Sequence, residues 1–144
     1  MLSPHLYWII LALVSGYAFL RGRLDERLAA TVCIIATVIT WLFNSPLNQR
    51  FSGVEPGVFA ADVLALVGFT AVALRSDRFW PLWVAGLQLT TTLAHVLKAI
   101  NLELLPLAYA AAARFWVYPI FLIIVIGTWR SHHRSLRERR TRTA

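Results

Sequence analysis

The chain has few charged residues for its length, and this shortage narrows the class of protein. Charged residues make up 15% of its 144 residues and hydrophobic residues 58%. An average soluble domain has about 25% charged residues. Helices of soluble proteins keep a charged face. A composition this apolar therefore argues against a soluble all-α protein. The sequence therefore indicates an integral membrane protein.

Cysteine is nearly absent as well, since Cys33 is the single one. An intrachain disulfide is therefore excluded, and so is a zinc or iron–sulfur site built from a cysteine cluster. Cys33 lies in the middle of an apolar run. This setting is typical of a small, buried packing residue.

Signatures of catalysis are also missing from the sequence. We find no nucleophile elbow, no H-E-x-x-H and no glycine-rich nucleotide loop. The seven acidic residues are too scattered along the chain for two-metal phosphotransfer. An enzyme built on His95 and Asp62 is the catalytic alternative that remains. We expect a protein that is not an enzyme.

The chain does contain five apolar runs, of roughly 16–23 residues each, close to the length that crosses a bilayer core of about 30 Å. Arginine is concentrated after the first and third runs and after the last. The positive-inside rule then places the N-terminus outside and the C-terminus in the cytoplasm. We predict a multi-pass protein of the inner (cell) membrane. Its fold would be an all-α bundle of five transmembrane helices over residues 4–20, 26–43, 58–74, 79–100 and 107–129, with a basic cytoplasmic tail over 130–144.

The tail over residues 130–144 carries six arginines and contributes much of the net charge of +7. In a soluble protein such a charge would favour nucleic-acid binding. Next to an apolar run it favours contact with anionic lipid instead. Leu136 is the only large apolar residue beyond Trp129, so we expect a mobile tail rather than an amphipathic helix. The expected partners are the lipid bilayer, anionic lipids at the tail, and a membrane-protein partner or a second copy of the chain, with no nucleic acid.

A stripe of polar residues runs along the fourth apolar run at helical spacing. A polar stripe that faced lipid would cost several kcal/mol, so we expect it to face inward. Asp62 in the third run and Arg114 in the fifth are expected at a similar depth, in the outer half of the bilayer. The predicted intramembrane polar cluster comprises Asp62, Gln88, Thr91, Thr92, His95, Lys98 and Arg114.

Two interpretations of this cluster remain open. In the structural one, Asp62 and Arg114 form an ion pair between helices. His95 then bonds to a carbonyl or a threonine, and Lys98 extends to the surface. This interpretation fits an accessory subunit or a partner-binding membrane scaffold. In the functional one, Asp62, His95, Lys98 and Arg114 line an outer-facing pocket for a proton, an ion or a small solute. That arrangement fits a small transporter or channel-like protein.

A pair of histidines raises a cofactor hypothesis. His5 and His95 are expected at a similar depth on the first and fourth helices. Histidines so placed can bind haem axially or share a metal. Neither helix carries a second histidine. We therefore predict no cofactor, and a haem- or quinone-linked membrane redox component is the lesser alternative.

Overall fold

A computed structural model of the chain describes residues 4–43, 56–100 and 115–142. Within these ranges the regular structure is entirely α-helical and contains no strand, so the predicted all-α class is confirmed. The described helices are α1 (Pro4–Arg21), α2 (Leu24–Leu42), α3 (Pro56–Arg75), α4 (Trp80–Ile100) and α5 (Val117–Arg142).

The junction between α1 and α2 is set by a glycine and a glutamate. A Cβ atom at Gly22 would collide with the carbonyl oxygen of Ala18, so this backbone position requires glycine. Helix α2 begins at Leu24, two residues before the predicted start at residue 26. The reason is that Glu26 accepts a hydrogen bond, 2.8 Å long, from the backbone N–H of Arg23. This bond makes Arg23 the N-cap.

Helix α5 continues past the predicted end at residue 129 to Arg142. The expectation that the tail would lie outside helical structure is therefore wrong for residues 130–142. This segment contains neither glycine nor proline, and it is rich in arginine, a strong helix former. Arg134 and Glu138 also stand four residues apart, a spacing at which opposite charges support a helix. The upstream part of the fifth predicted helix, residues 107–114, lies outside the described residues.

The five described helices pack in a closed ring. Helix α1 packs on α2 and α5, α3 packs on α2 and α4, and α4 packs on α5, which also contacts α2. Small residues bring the helices close together at Ala18, Ala29, Ala30 and Ala65, all buried. At Gly68 of α3, an added Cβ would lie 2.8 Å from Val32 of α2. Close contact through small residues is the usual packing mode of transmembrane helices.

The surface of the bundle is apolar and its interior is partly polar. Large aliphatic side chains are exposed on every described helix, with Leu20 80% and Leu74 83% accessible. By length and composition, α3 is the one described helix that could cross a membrane, with a mean hydropathy of 2.1. The buried polar side chains are Ser15, Glu26, Thr37, Gln88, Thr91, Thr92, His95, Thr128 and Ser131.

Candidate functional site

The polar stripe of α4 meets the carboxylate of Asp62 on α3. Oδ2 of Asp62 lies 2.7 Å from Nε2 of His95, a hydrogen-bonding distance for a carboxylate and an imidazole. The His95 side chain is 5% exposed, whereas that of Asp62 is 21% exposed. The two helices are joined by a turn of four residues, so they run antiparallel and present these side chains to each other.

Gln88 completes this arrangement two turns before His95 on the same face of α4. Its Nε2 donates to Oδ1 of Asp62 over 3.0 Å, and to the backbone oxygen of Asp62 over 3.3 Å. Each carboxylate oxygen of Asp62 thus has a partner on α4. We call Asp62, Gln88 and His95 the Asp62 cluster.

The two threonines of the stripe are buried but do not join the Asp62 cluster. The Thr91 hydroxyl donates to the carbonyl of Leu87 over 3.3 Å, and the Thr92 hydroxyl to that of Gln88 over 3.0 Å. Such bonds to the preceding turn satisfy a buried hydroxyl within its own helix. Both side chains therefore fit the interior without a partner on another helix.

The structure gives no side-chain contacts for two predicted members of the polar cluster. Lys98 lies within α4, but its side chain is outside the described part of the chain, as is the whole of Arg114. The proposed Asp62–Arg114 ion pair therefore concerns a residue beyond the described ranges. His95 was expected to bond to a carbonyl or a threonine in that arrangement. The structure places the carboxylate of Asp62 at its Nε2.

The histidine pair of the haem hypothesis is placed on different parts of the ring. His5 is exposed on α1, which packs on α2 and α5, whereas His95 is buried against α3. Among the residues that the structure describes, no three His, Cys, Asp or Glu side chains form a group that could hold a metal ion.

A second group of charged side chains lies at the end of the bundle that holds the α1–α2 and α3–α4 turns. Glu26 is fully buried, and its Oε1 accepts a hydrogen bond from Nη1 of Arg78 over 2.9 Å. Nε of Arg78 lies 4.0 Å from Oδ2 of Asp25, which also accepts a bond of 2.6 Å from the Ser76 hydroxyl. We call Asp25, Glu26, Ser76 and Arg78 the Glu26 cluster.

The hydrophobic periodicity did not reveal the Glu26 cluster. It gave no indication of a contact between the start of the second helix and the turn between the third and fourth. One signal was present, namely a glutamate three residues after the N-cap, where its side chain returns to the backbone. The structure buries this carboxylate beside Arg78.

The Asp62 cluster has two chemical capabilities. It joins α3 to α4 through hydrogen bonds of a charged group, and it holds an imidazole beside a carboxylate, a pair that can exchange a proton. The Glu26 cluster offers an ion pair that ties the start of α2 to the α3–α4 turn. Comparison of the chain with protein-family models, with curated proteins and with solved structures found no match.

Proposed function

We propose that the chain is an integral protein of the inner membrane that crosses it five times, with its C-terminus in the cytoplasm. We propose further that it acts without catalysis, as an accessory subunit or partner-binding scaffold. The observation that carries the membrane proposal is the reversal of the usual burial pattern. Large aliphatic side chains face outward on every described helix, while Gln88, His95 and Thr128 are buried.

A lipid environment accounts for that reversal. In water, exposed leucines across all helices would form apolar patches far larger than those of a monomeric soluble protein. In lipid, the same side chains are solvated, and polar groups must find partners inside the bundle. Helix α3 has the hydropathy of a membrane span. Helix α1 is apolar over His5–Arg21 but shorter than a full span. The others carry a charged first turn in α2, buried polar groups in α4 and an arginine-rich extension in α5.

The scaffold proposal is supported by the way the Asp62 cluster is satisfied. Both oxygens of Asp62 accept hydrogen bonds from α4, so the charged group serves the packing of α3 on α4. Interhelical hydrogen bonds of this kind stabilise membrane bundles. A bundle that uses its polar groups internally would meet a partner through its apolar outer surface.

The test of the scaffold proposal is purification from the native membrane in a mild detergent, followed by mass spectrometry of the proteins that co-purify. We expect a second membrane protein in a fixed ratio to this chain. Recovery of the chain alone, or only as a homo-oligomer, would contradict the role of an accessory subunit.

Orientation is tested with single cysteines in a Cys33→Ala background. Ser135→Cys on α5 should react with a membrane-impermeant maleimide only from the cytoplasmic side. Ser52→Cys, in the predicted outer loop, should react only from the opposite side. Reaction of both cysteines from one side would overturn the proposed number of crossings.

A second candidate function is a small transporter or channel-like protein with its site at the Asp62 cluster. The observation that favours it is the contrast in exposure between the partly accessible Asp62 and the buried His95 behind it. Ionisable groups inside membranes often mark proton or ion pathways. In proteoliposomes, a proton flux that is lost in both Asp62→Asn and His95→Gln but kept in Thr90→Ala would support this function. Absence of flux in the unaltered protein would exclude proton transport as its activity.

A further inference from the structure

A cavity of about 370 Å³ opens beside the Glu26 cluster, at the end of the bundle that holds the α3–α4 turn. Its volume falls within the range of about 300–1,000 Å³ that small-molecule sites occupy. Three separate segments meet there, namely the start of α2, the α3–α4 turn and the extension of α5 beyond Trp129. The lining residues are Arg23, Leu24, Asp25, Asp77, Arg78 and Arg134.

The charges around this cavity favour an anion. The lining holds three arginines and two aspartates. Arg78 is already paired with Glu26 and Asp25, so the cations left for an anion are Arg23 and Arg134. Arg78 is fixed by Glu26 and Asp25, so its guanidinium forms a rigid part of the wall. Within the described ranges, the side chains of Arg23 and Arg134 have no carboxylate within ion-pair distance. The carboxylate of Asp77, which also lines the cavity, would repel an anion. A bound anion would therefore lie beside the arginines and away from Asp77.

The two arginines of the cavity that are left for an anion are far apart in sequence, so only the folded chain brings them together. Arg23 precedes α2, while Arg134 is on the part of α5 that was expected to be an unstructured tail. The helical continuation of α5 brings Arg134 to the same cavity as Arg23. Guanidinium groups bind phosphate oxygens through paired, charge-assisted hydrogen bonds. Basic pockets at the cytoplasmic ends of transmembrane helices are suited to lipid headgroups.

We propose that this cavity binds a phosphate group between Arg23 and Arg134, with Arg78 as the fixed third donor. The phosphate belongs either to the headgroup of an acidic phospholipid or to a soluble phosphate compound. The lipid source rests on the membrane location proposed above, whereas the soluble source does not. This site differs from general attraction of the basic tail to a charged membrane, because it depends on particular arginines.

The experiment compares two matched double variants of the full chain in mild detergent. Arg23→Gln with Arg134→Gln removes two charges from the cavity wall. Arg27→Gln with Arg130→Gln removes two exposed charges at the same end of the bundle, outside the lining. Native mass spectrometry measures phosphatidylglycerol binding, and calorimetry measures the binding of inorganic phosphate. Helix content by circular dichroism establishes that both variants fold like the parent.

We expect the cavity variant to bind phosphatidylglycerol about tenfold more weakly or worse, since two charge-assisted contacts are lost. The control variant should bind close to the parent. Phosphatidylglycerol binding without inorganic phosphate binding would identify the lipid headgroup as the source. Arginine-dependent binding of inorganic phosphate as well would identify a site open to soluble phosphates. Equal losses in the two variants would show surface attraction only and would overturn the proposal.

Failure of this proposal is separable from failure of the membrane proposal. Extraction of membranes with alkaline carbonate tests whether the parent and both variants are integral. A chain that resists carbonate but binds neither ligand would overturn the phosphate site and leave the membrane location intact. A chain that carbonate releases, but that still binds inorganic phosphate through Arg23 and Arg134, would overturn the membrane location and leave the phosphate site intact.

Discussion

The carboxylate of Asp62 lies 2.7 Å from Nε2 of His95 and joins α3 to α4. Nε2 of Gln88 donates a hydrogen bond of 3.0 Å to the other carboxylate oxygen. The side chain of Asp62 thus contacts residues two turns apart on the neighbouring helix. Closer to the α3–α4 turn, the buried face of α4 becomes apolar at the fully buried Val84. The Asp62 cluster is thus the polar contact that joins α3 to α4 beyond this apolar part of the interface.

The first prediction concerns the energetic coupling of Asp62 and His95. We expect Asp62→Ala and His95→Ala each to lower the free energy of unfolding by about 2–3 kcal/mol, because each removes the 2.7 Å hydrogen bond between the two side chains. The double variant should lose less than the sum, with a coupling of about 1–2 kcal/mol. Denaturant titration in mild detergent, followed by circular dichroism, measures all four proteins.

Thr90→Ala is the matched control for this cycle. Thr90 is exposed on α4, and its hydroxyl donates to the Gly86 carbonyl of its own helix. Its replacement should change the unfolding free energy by no more than about 0.5 kcal/mol. Strictly additive losses at Asp62 and His95 would show that the two side chains are not energetically coupled.

The second prediction concerns Arg78 and the buried carboxylate of Glu26. Arg78→Ala should lower the unfolding free energy by about 3–5 kcal/mol, because it leaves a charge buried without its partner. Arg78→Lys should recover only part of this loss, since an ammonium lacks the two-sided fork that contacts both Glu26 and Asp25. The exposed Arg75, three residues earlier, is the control, and Arg75→Ala should be nearly neutral. Similar losses at both arginines would contradict a specific pair.

The class of fold was predictable from the sequence, and two of the helix ends were not. Apolar runs and breakers such as Gly22 placed the first four helices close to their observed bounds. The start of α2 was misplaced because it depends on the return of the Glu26 side chain to the Arg23 backbone. The end of α5 was misplaced because low hydrophobicity was taken as absence of a helix. Helix propensity does not require apolar residues, and arginine-rich segments satisfy it.

Three of the predicted site residues, Asp62, Gln88 and His95, lie together in the structure, but their pairing was not predictable. Helical spacing alone put Gln88 and His95 on one face of α4. It did not select the partner of Asp62, because that choice depends on the register between α3 and α4. Glu26 and Arg78 are 52 residues apart in sequence, so their contact exists only after the helices have packed. Pairings of this kind belong to tertiary structure and leave little trace in periodicity.

The third prediction concerns the close contact of α2 and α3 at Gly68. A Cβ atom there would lie 2.8 and 3.0 Å from the two methyl carbons of Val32, a β-branched side chain with little freedom to turn away. Gly68→Ala should therefore destabilise the protein by about 1–3 kcal/mol through overpacking. At Gly86 of α4, an added Cβ meets nothing within 4 Å. Gly86→Ala should stabilise by about 0.5–1 kcal/mol through helix propensity.

These two glycine variants are best compared in the same denaturant titration as the parent. A Val32→Ala change combined with Gly68→Ala should recover part of the lost stability, because it makes room for the new methyl group. Equal effects of alanine at Gly68 and Gly86 would mean that α2 and α3 are not in close contact at this point.

The fourth prediction uses the single thiol as a reporter of the packed bundle. Cys33 is buried on α2, and its backbone carbonyl accepts a bond from the Thr37 hydroxyl, which also contacts the Tyr7 hydroxyl of α1 over 2.7 Å. A water-soluble maleimide should label Cys33 at least about 100-fold more slowly in the folded protein than in SDS, which corresponds to an opening free energy of about 3 kcal/mol.

A cysteine at Ser135 in a Cys33→Ala background is the control for reagent activity, since Ser135 is partly exposed on the α5 extension. It should react at similar rates in both conditions. Tyr7→Phe should speed the labelling of Cys33, because removal of the hydroxyl breaks the hydrogen bond between Tyr7 of α1 and Thr37 of α2 and so favours local opening. Rapid labelling of Cys33 in the folded protein would show that the α1–α2 interface is open to water, and the packing of these two helices would then have to be revised.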